Sequence, residues 1–113
     1  MARVVLFVPD LLFGSRVAGA VQAAGHEPVL AADATALERA LPGSHLLIVD
    51  LTSDAETRIE QVGSLAGVRK LGFYSHVEAE VRARAEQAGF ELVVPRSRMA
   101  REGAELVGRL ISG

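Results

Sequence analysis

The stretch His45–Glu56, HLLIVDLTSDAE, carries the signals that decide the fold of this chain. Its apolar run, residues 46–49, is typical of a β-strand buried on both faces, as in a parallel sheet. The run ends on a single acid, Asp50. The sequence SDAE at 53–56 has the form of a capping box and predicts a helix start. The stretch therefore predicts a buried strand that ends on an aspartate and leads into a helix.

The same pairing of apolar runs and helical stripes fills the rest of the chain. Four further apolar segments predict strands at residues 4–8, 28–30, 71–74 and 92–94. Apolar residues recur at spacings of three and four around and between them, and predict helices. These stripes are Val17-Ala20-Val21-Ala24, Ala36-Leu37-Ala40, Ile59-Val62-Ala66, Val77-Val81-Ala85-Ala88 and Leu106-Val107-Leu110-Ile111.

The alternation of strands and helices predicts the architecture. Each strand–helix–strand unit favours a right-handed crossover and a parallel sheet with helices on both faces. We expect one α/β domain over residues 1–113, with a doubly wound, five-stranded sheet in the flavodoxin-like order 2-1-3-4-5.

Turn and helix-end signals agree with this order. Gly25 and Gly89 each follow a helical stripe and precede a strand, where a left-handed residue ends a helix. The sequence SHVE at 75–78 predicts a second capping box, and Asp33 is expected to open the second helix. The last helix has the weakest signal, because Gly103 and Gly108 each cost about 1 kcal/mol relative to alanine.

Composition excludes several classes of protein. The 113 residues carry a net charge of -2, with 23% charged residues and no cysteine. We therefore expect no electrostatic binding of nucleic acid, no disulfides and no thiolate metal site. The apolar run at 4–8 is too short for a signal peptide or a membrane span. We expect a cytoplasmic protein without membrane contact.

Candidate functional residues follow the predicted strands. Ligands of such sheets bind beyond the carboxyl ends of the strands, where the winding reverses between the first and third strands. Asp10 and Asp50 end these two strands and could share Mg²⁺, which prefers oxygen ligands. A simpler interpretation is that Asp50 only closes its strand by accepting amide hydrogens from the next loop. The other candidates, for contact with phosphate or another anion, are Ser75, His76, Arg96 and Ser97.

Three serine–basic pairs occur near this edge, at 15–16, 75–76 and 97–98. Each is predicted to open a helix, and helix N-termini attract anions through their free amides and dipole. An anion site is one interpretation. The other is that serine is simply a common N-cap.

The residues at the strand ends resemble those of a known family. VVLFVPD at 4–10, AGHE at 24–27 and SHLLIVDLT at 44–52 are similar to the corresponding segments of response-regulator receiver domains. The resemblance extends over almost the whole chain. It implies that Asp50 stands at the phosphoacceptor position, Asp10 at the second acid of the metal-binding pair, and Ser75 at the hydroxyl that contacts the phosphoryl group.

The chain also departs from the receiver pattern. Pro9 replaces the first acid of the pair and offers no side-chain oxygen. The family's lysine after strand five is replaced by Pro95 or Arg96, and the chain's only lysine, Lys70, belongs to the wrong edge of strand four. The aromatic switch residue falls near Leu92. The resemblance is therefore to an atypical or degenerate receiver.

Two functional hypotheses follow. The first is a stand-alone, receiver-like signalling domain that binds a partner protein and has an altered phosphoacceptor site. If phosphorylated, it would accept the phosphoryl group on Asp50, with Mg²⁺ on Asp10. The second is a small-molecule or phosphate-ester binding protein or enzyme that uses the crevice. The last helix could also mediate a homodimer.

Overall fold

The computed structural model describes residues 1–75 and 79–112. Five strands and five helices alternate along this part of the chain. The strands are β1 (Arg3–Phe7), β2 (Glu27–Leu30), β3 (Leu46–Asp50), β4 (Arg69–Tyr74) and β5 (Leu92–Pro95). The helices are α1 (Leu11–Ala23), α2 (Ala34–Ala40), α3 (Ala55–Gly63), α4 (Ala79–Gln87) and α5 (Arg96–Ser112).

The strands form one parallel sheet in the order β2-β1-β3-β4-β5. In the centre of the sheet, Val4 pairs with Leu46 and Phe7 with Val49. The predicted α/β class and the strand order 2-1-3-4-5 are confirmed. Because β1 and β3 are parallel neighbours, their carboxyl ends meet at one edge of the sheet.

Each face of the sheet has its own apolar core, as the continuous apolar strands predicted. Val4 and Leu6 point to the face that α1 and α5 cover, where Phe13, Met99 and Leu106 are buried. The alternate residues point to the face that α2, α3 and α4 cover. Alternation along each strand distributes the side chains between the two faces.

The predicted turns are confirmed at two helix ends. Gly25 has φ of 86° and Gly89 has φ of 94°, a region that L-residues with a side chain rarely adopt. Each of these glycines ends a helix with a left-handed residue, so that the chain can turn back into the next strand.

The start and end of α3 differ from the prediction. Its N-cap is Asp54, which has left-handed φ and ψ of 49° and 37° and makes no capping bond. The predicted serine capping box at 53–56 is therefore wrong. At the other end α3 stops at Gly63, so Ala66 lies outside the helix that its spacing predicted.

The last helix is longer than its glycine content suggested. It runs for 17 residues, with non-helical backbone at Glu102, where φ is -121° and ψ is 16°. The following Gly103 packs against α1, and a Cβ there would lie 3.0 Å from Cβ of Ala20. The glycine thus permits a close approach of the two helices.

No helix within residues 1–75 and 79–112 has both the length and the apolar character needed to span a lipid bilayer.

Candidate functional site at the carboxyl edge

Asp10 follows β1 and begins α1. Its Oδ1 accepts hydrogen bonds from the backbone amides of Leu12 and Phe13, at 3.0 and 3.2 Å. Its Oδ2 lies 3.8 Å from Nη2 of Arg96. The carboxylate is therefore shared between a helix cap and an arginine, an arrangement that combines capping with a favourable charge at a helix N-terminus.

Asp50 ends β3 and is 4% exposed. Its Oδ1 accepts hydrogen bonds from the amide of Thr52 at 2.8 Å and from the hydroxyl of Thr52 at 2.5 Å. These contacts match the simpler interpretation, in which the carboxylate closes its strand and orders the next loop. They also limit what Oδ1 can offer to a metal or a phosphoryl group.

Arg58, on α3, was not among the predicted site residues, although it lies beneath this loop. Its Nη1 donates to the carbonyl oxygen of Asp50 at 3.0 Å and also to the carbonyl oxygen of Ser53. Its guanidinium lies 5.9 Å from the centre of the Phe7 ring. The spacing of Asp54 and Arg58 signals an ion pair on the helix surface, but not that the arginine turns inward to hold the loop.

Arg96, the first residue of α5, lies across the crevice from β1. Its guanidinium carbon is 4.2 Å from the centre of the Phe13 ring, within cation–π distance. The Phe13 ring in turn packs against Phe73, with centres 5.0 Å apart and planes tilted by 53°. Pro95 ends β5, so Arg96 is the first residue after that strand. Its planar guanidinium stacks on the ring of Phe13 and also faces the carboxylate of Asp10.

A cavity of about 600 Å³ opens at this edge. Of the predicted site residues, it brings together Asp10, Ser75, Arg96 and Ser97; Arg16 and Thr52 also line it. Asp50 itself does not. His76 lies outside the described residues.

The cavity wall favours anions over cations. It carries two arginines, Arg16 and Arg96, and the hydroxyls of Ser75 and Ser97, whereas the hydroxyl of Thr52 already donates its hydrogen to Asp50. Among the described residues of the wall the only acid is Asp10, which already accepts two amide hydrogen bonds and faces Arg96. The arginines and hydroxyls are donors that suit a carboxylate or phosphate.

The same residues do not fit a magnesium ion. Mg²⁺ requires near-octahedral oxygen coordination, whereas the neighbour of Asp10 is a guanidinium and Pro9 supplies no side-chain oxygen. Within the described ranges, no group of three His, Cys, Asp or Glu side chains is placed to hold a metal ion.

Ser15 lies elsewhere than predicted, whereas Lys70 lies where its sequence position indicated. Ser15 lies inside α1, which Asp10 opens, so the predicted helix start at 15–16 is wrong. Lys70 is 5% exposed at the amino end of β4, where its Nζ donates to the carbonyl oxygen of Leu65 at 2.9 Å. The chain's only lysine therefore lies at the opposite edge of the sheet, as its position in the sequence indicated.

Comparison with known proteins gives similarity at the level of structure. No family model and no curated protein matches the chain. A response regulator from Thermotoga maritima superposes with a TM-score of 0.86 at 14% identity, covering 100% of this chain and 99% of the other. A protein described as related to pilus assembly, from Burkholderia pseudomallei, gives a TM-score of 0.80 at 20% identity, with coverages of 99% and 90%.

A third similar structure is an atypical orphan response regulator, described as having a regulatory mechanism independent of phosphorylation. Its TM-score is 0.77 at 12% identity, and the match covers 97% of this chain and 95% of that one. At such identities the likeness concerns the course of the backbone. The chain has the receiver-like, flavodoxin-like fold that its strand-end residues implied.

Proposed function

We propose that this chain is a receiver-like regulatory domain that acts by contact with a partner protein and does not depend on phosphorylation of Asp50. The observation that carries the proposal is the position of Arg96, which stacks on Phe13 and faces Asp10. The guanidinium of Arg96 thus lies beside Asp10, the residue to which the receiver resemblance assigns the binding of Mg²⁺.

The charge balance of the site supports this proposal. The receiver pattern needs an acidic pair for the metal and a lysine for the phosphoryl group. In this chain Pro9 stands in place of one acid of the pair, and Arg96 has a planar guanidinium where the family's lysine has a compact ammonium group. A divalent cation would have to displace the Arg96 guanidinium from Asp10 while gaining only one carboxylate there.

The environment of Asp50 supports the proposal independently. A phosphoacceptor must present a free carboxylate oxygen to a donor. Asp50 is buried, and its Oδ1 accepts two hydrogen bonds from Thr52. Arg58 fixes the backbone carbonyl of the same residue. The loop is thus ordered by its own contacts, without a phosphoryl group.

A similar structure offers a precedent. The atypical orphan response regulator that shares this fold is described as regulated independently of phosphorylation. Its low identity makes this a parallel between folds, whereas in the present chain Arg96, Pro9 and Asp50 support the proposal.

The test is incubation with acetyl phosphate and Mg²⁺, followed by intact-protein mass spectrometry. We expect no phosphoryl adduct on the wild type. In parallel, a deletion strain of the source organism is complemented with wild type or Asp50→Asn, and we expect equal complementation. A phosphoryl adduct that Asp50→Asn abolishes, together with lost complementation, would refute the proposal.

The cavity favours a second candidate function, the binding of a small phosphate ester. The side chains of Arg16 and Arg96 and the hydroxyls of Ser75 and Ser97 line a space of about 600 Å³. A thermal-shift screen of phosphate esters and nucleotides tests this function, because a ligand at 100 times its Kd stabilises the fold by about 2.7 kcal/mol. Stabilisation that Arg16→Glu removes, and that the distant Arg39→Glu retains, would support it. A flat response across the panel would exclude it.

A further inference from the structure

A second cavity lies at the amino edge of the sheet, opposite the carboxyl-edge cavity. Its volume is about 420 Å³, within the range of about 300–1,000 Å³ that is typical of small-molecule sites. The loops that precede β3 and β4 form much of its wall, with residues 41–44 on one side and 65–68 on the other. Among the described residues, none lines both cavities. We call this space the amino-edge cavity.

The wall of the amino-edge cavity combines apolar surface with one acid. Leu41, Leu65 and Val68 line it, and each of them packs against the core that α2, α3 and α4 cover. Glu38, on α2, also lines it. Within the part of the chain that the structure describes, Glu38 makes no ion pair. The cavity thus offers a carboxylate that no described arginine or lysine neutralises.

A buried ammonium group lies next to this wall. Lys70, the second residue of β4, is 5% exposed. Its Nζ donates to the carbonyl oxygen of Leu65 at 2.9 Å, and Leu65 lines the cavity. Because Leu71 points into the core beneath α1 and α5, its neighbour Lys70 points to the other face of the sheet, where the cavity lies.

The charge of Lys70 is not paired inside the protein. An ammonium group has three N–H donors, and among the described residues Nζ has one acceptor, the carbonyl of Leu65, and no carboxylate within ion-pair distance. The negative end of α3, which stops at Gly63, offsets part of this charge. Buried charges are ordinarily paired with an opposite charge. An anion that enters the cavity would supply the missing one.

We infer that the amino-edge cavity binds a free α-amino acid with an apolar side chain. The carboxylate of the amino acid pairs with Lys70, its ammonium group pairs with Glu38, and its side chain packs on the apolar wall. A zwitterion matches the two opposite charges of the site. A simple anion such as phosphate fits less well, because it would approach the carboxylate of Glu38. This site lies at the opposite edge from Asp50 and goes beyond the proposed function.

The test is isothermal titration calorimetry of the full chain with L-leucine and with two analogues that each lack one charge. Isocaproate keeps the carboxylate and the branched side chain, and isopentylamine keeps the ammonium group and the side chain. We expect leucine to bind, and each analogue to bind about tenfold or more weakly, because each leaves one charge of the protein without a partner. An absence of binding to leucine, isoleucine, valine and phenylalanine alike would overturn the inference.

Glu38→Gln tests the contact with the ammonium group of the ligand. Glu38 is exposed, so the substitution removes its charge without disturbing the core. We expect about tenfold weaker binding of leucine, with no loss in the binding of isocaproate. Glu105→Gln, an exposed position of α5 on the other face of the sheet, is the matched control and should bind leucine like the wild type.

Lys70→Met tests the contact with the carboxylate. Methionine retains an unbranched side chain, and an apolar residue in place of a buried charge is often tolerated. We expect binding of leucine and of isocaproate to be lost. If Lys70→Met does not fold, the two analogues and Glu38→Gln test the inference without it.

The carboxyl-edge cavity is the alternative place for such a ligand. Binding that Arg16→Glu abolishes and Lys70→Met retains would assign the amino acid to that cavity and overturn the inference. None of these results depends on Asp50, so failure of this inference is distinct from a phosphoryl adduct, which would refute the proposed function.

Discussion

At the scale of the residue, the identity of one basic side chain changes what the site can do. Arg96 reaches the ring of Phe13 and the carboxylate of Asp10 with a single planar group. A lysine at this position would supply a mobile point charge without the flat face. The sequence predicted a cation after β5, but the stacking depends on Phe13, which follows β1 far away in the chain and lacked any local signal of its role.

We expect Arg96→Ala to lower the free energy of unfolding by about 1 kcal/mol, because a half-exposed cation–π contact contributes about 0.5–1 kcal/mol and a surface ion pair 0–1 kcal/mol. Urea denaturation measures the change. Arg16→Ala, which removes an exposed arginine of α1, is the matched control and should change stability by less than about 0.5 kcal/mol. Equal effects of the two substitutions would contradict the role assigned to the stack.

A second residue-scale prediction concerns Gly72 in the centre of β4. A Cβ on this glycine would lie 2.8 Å from Cδ1 of Leu51 and 3.0 Å from Cε2 of Phe90. We expect Gly72→Ala to destabilise the protein by about 1–3 kcal/mol through overpacking. Gly19→Ala, on the exposed face of α1 with no neighbour within 4 Å, should stabilise it by about 0.5–1 kcal/mol. Chemical denaturation of both variants provides the comparison.

At the scale of the element, two aspartates begin helices in different ways. Asp33 has extended backbone, and its side chain accepts a hydrogen bond from the amide of Ala36 at 2.8 Å. Asp54 has left-handed backbone and makes no capping bond. At the predicted capping box, the helix begins one residue later than expected, after Asp54, and the carbonyl oxygen of Ser53 accepts from Arg58. That contact arises one turn further along α3.

This difference predicts opposite responses to substitution. Asp33→Ala should cost about 1 kcal/mol, as for loss of an N-cap. Asp54→Gly should cost nothing or stabilise, because glycine relieves a left-handed conformation that costs an L-residue roughly 1–2 kcal/mol, and the ion pair with Arg58 is long, at 4.0 Å. Thermal denaturation of the two variants distinguishes them. A loss of stability in Asp54→Gly as large as in Asp33→Ala would show that Asp54 caps α3 after all.

At the scale of the whole molecule, the sheet was predictable and the site only in part. Apolar strands alternating with amphipathic helices restrict the chain to a parallel sheet with right-handed crossovers, and the expected order 2-1-3-4-5 is one of the common orders of such sheets. The same topology brought Asp10, Ser75, Arg96 and Ser97 to one cavity. Local sequence could not predict the long-range contacts of Arg58 and Phe13, which depend on the packing of helices across the sheet.

At the same scale, we expect two substitutions to give this site the chemistry of a receiver. Asp50 already stands beside β1 in the correct parallel register, and what differs from the receiver pattern is the charge around it. Pro9→Asp supplies the missing acid, and Arg96→Lys replaces the stacked guanidinium by a flexible ammonium that frees Asp10 for a metal. We expect the double variant, and not the wild type, to gain one phosphoryl group from acetyl phosphate in the presence of Mg²⁺.

Intact-protein mass spectrometry measures this gain, and adding Asp50→Asn to the double variant should abolish it. Pro9→Asp alone should remain inert, because Arg96 still faces Asp10 and position 96 has no lysine to contact the phosphoryl oxygen. If the folded double variant also gains no phosphoryl group, then Pro9 and Arg96 do not by themselves explain why Asp50 is not phosphorylated. The burial of Asp50 and its two hydrogen bonds from Thr52 would then be the stronger barrier. Thr52→Ala in the double variant tests the share of the hydroxyl in that barrier, because it removes the hydroxyl while the backbone amide of residue 52 and Arg58 still hold the loop.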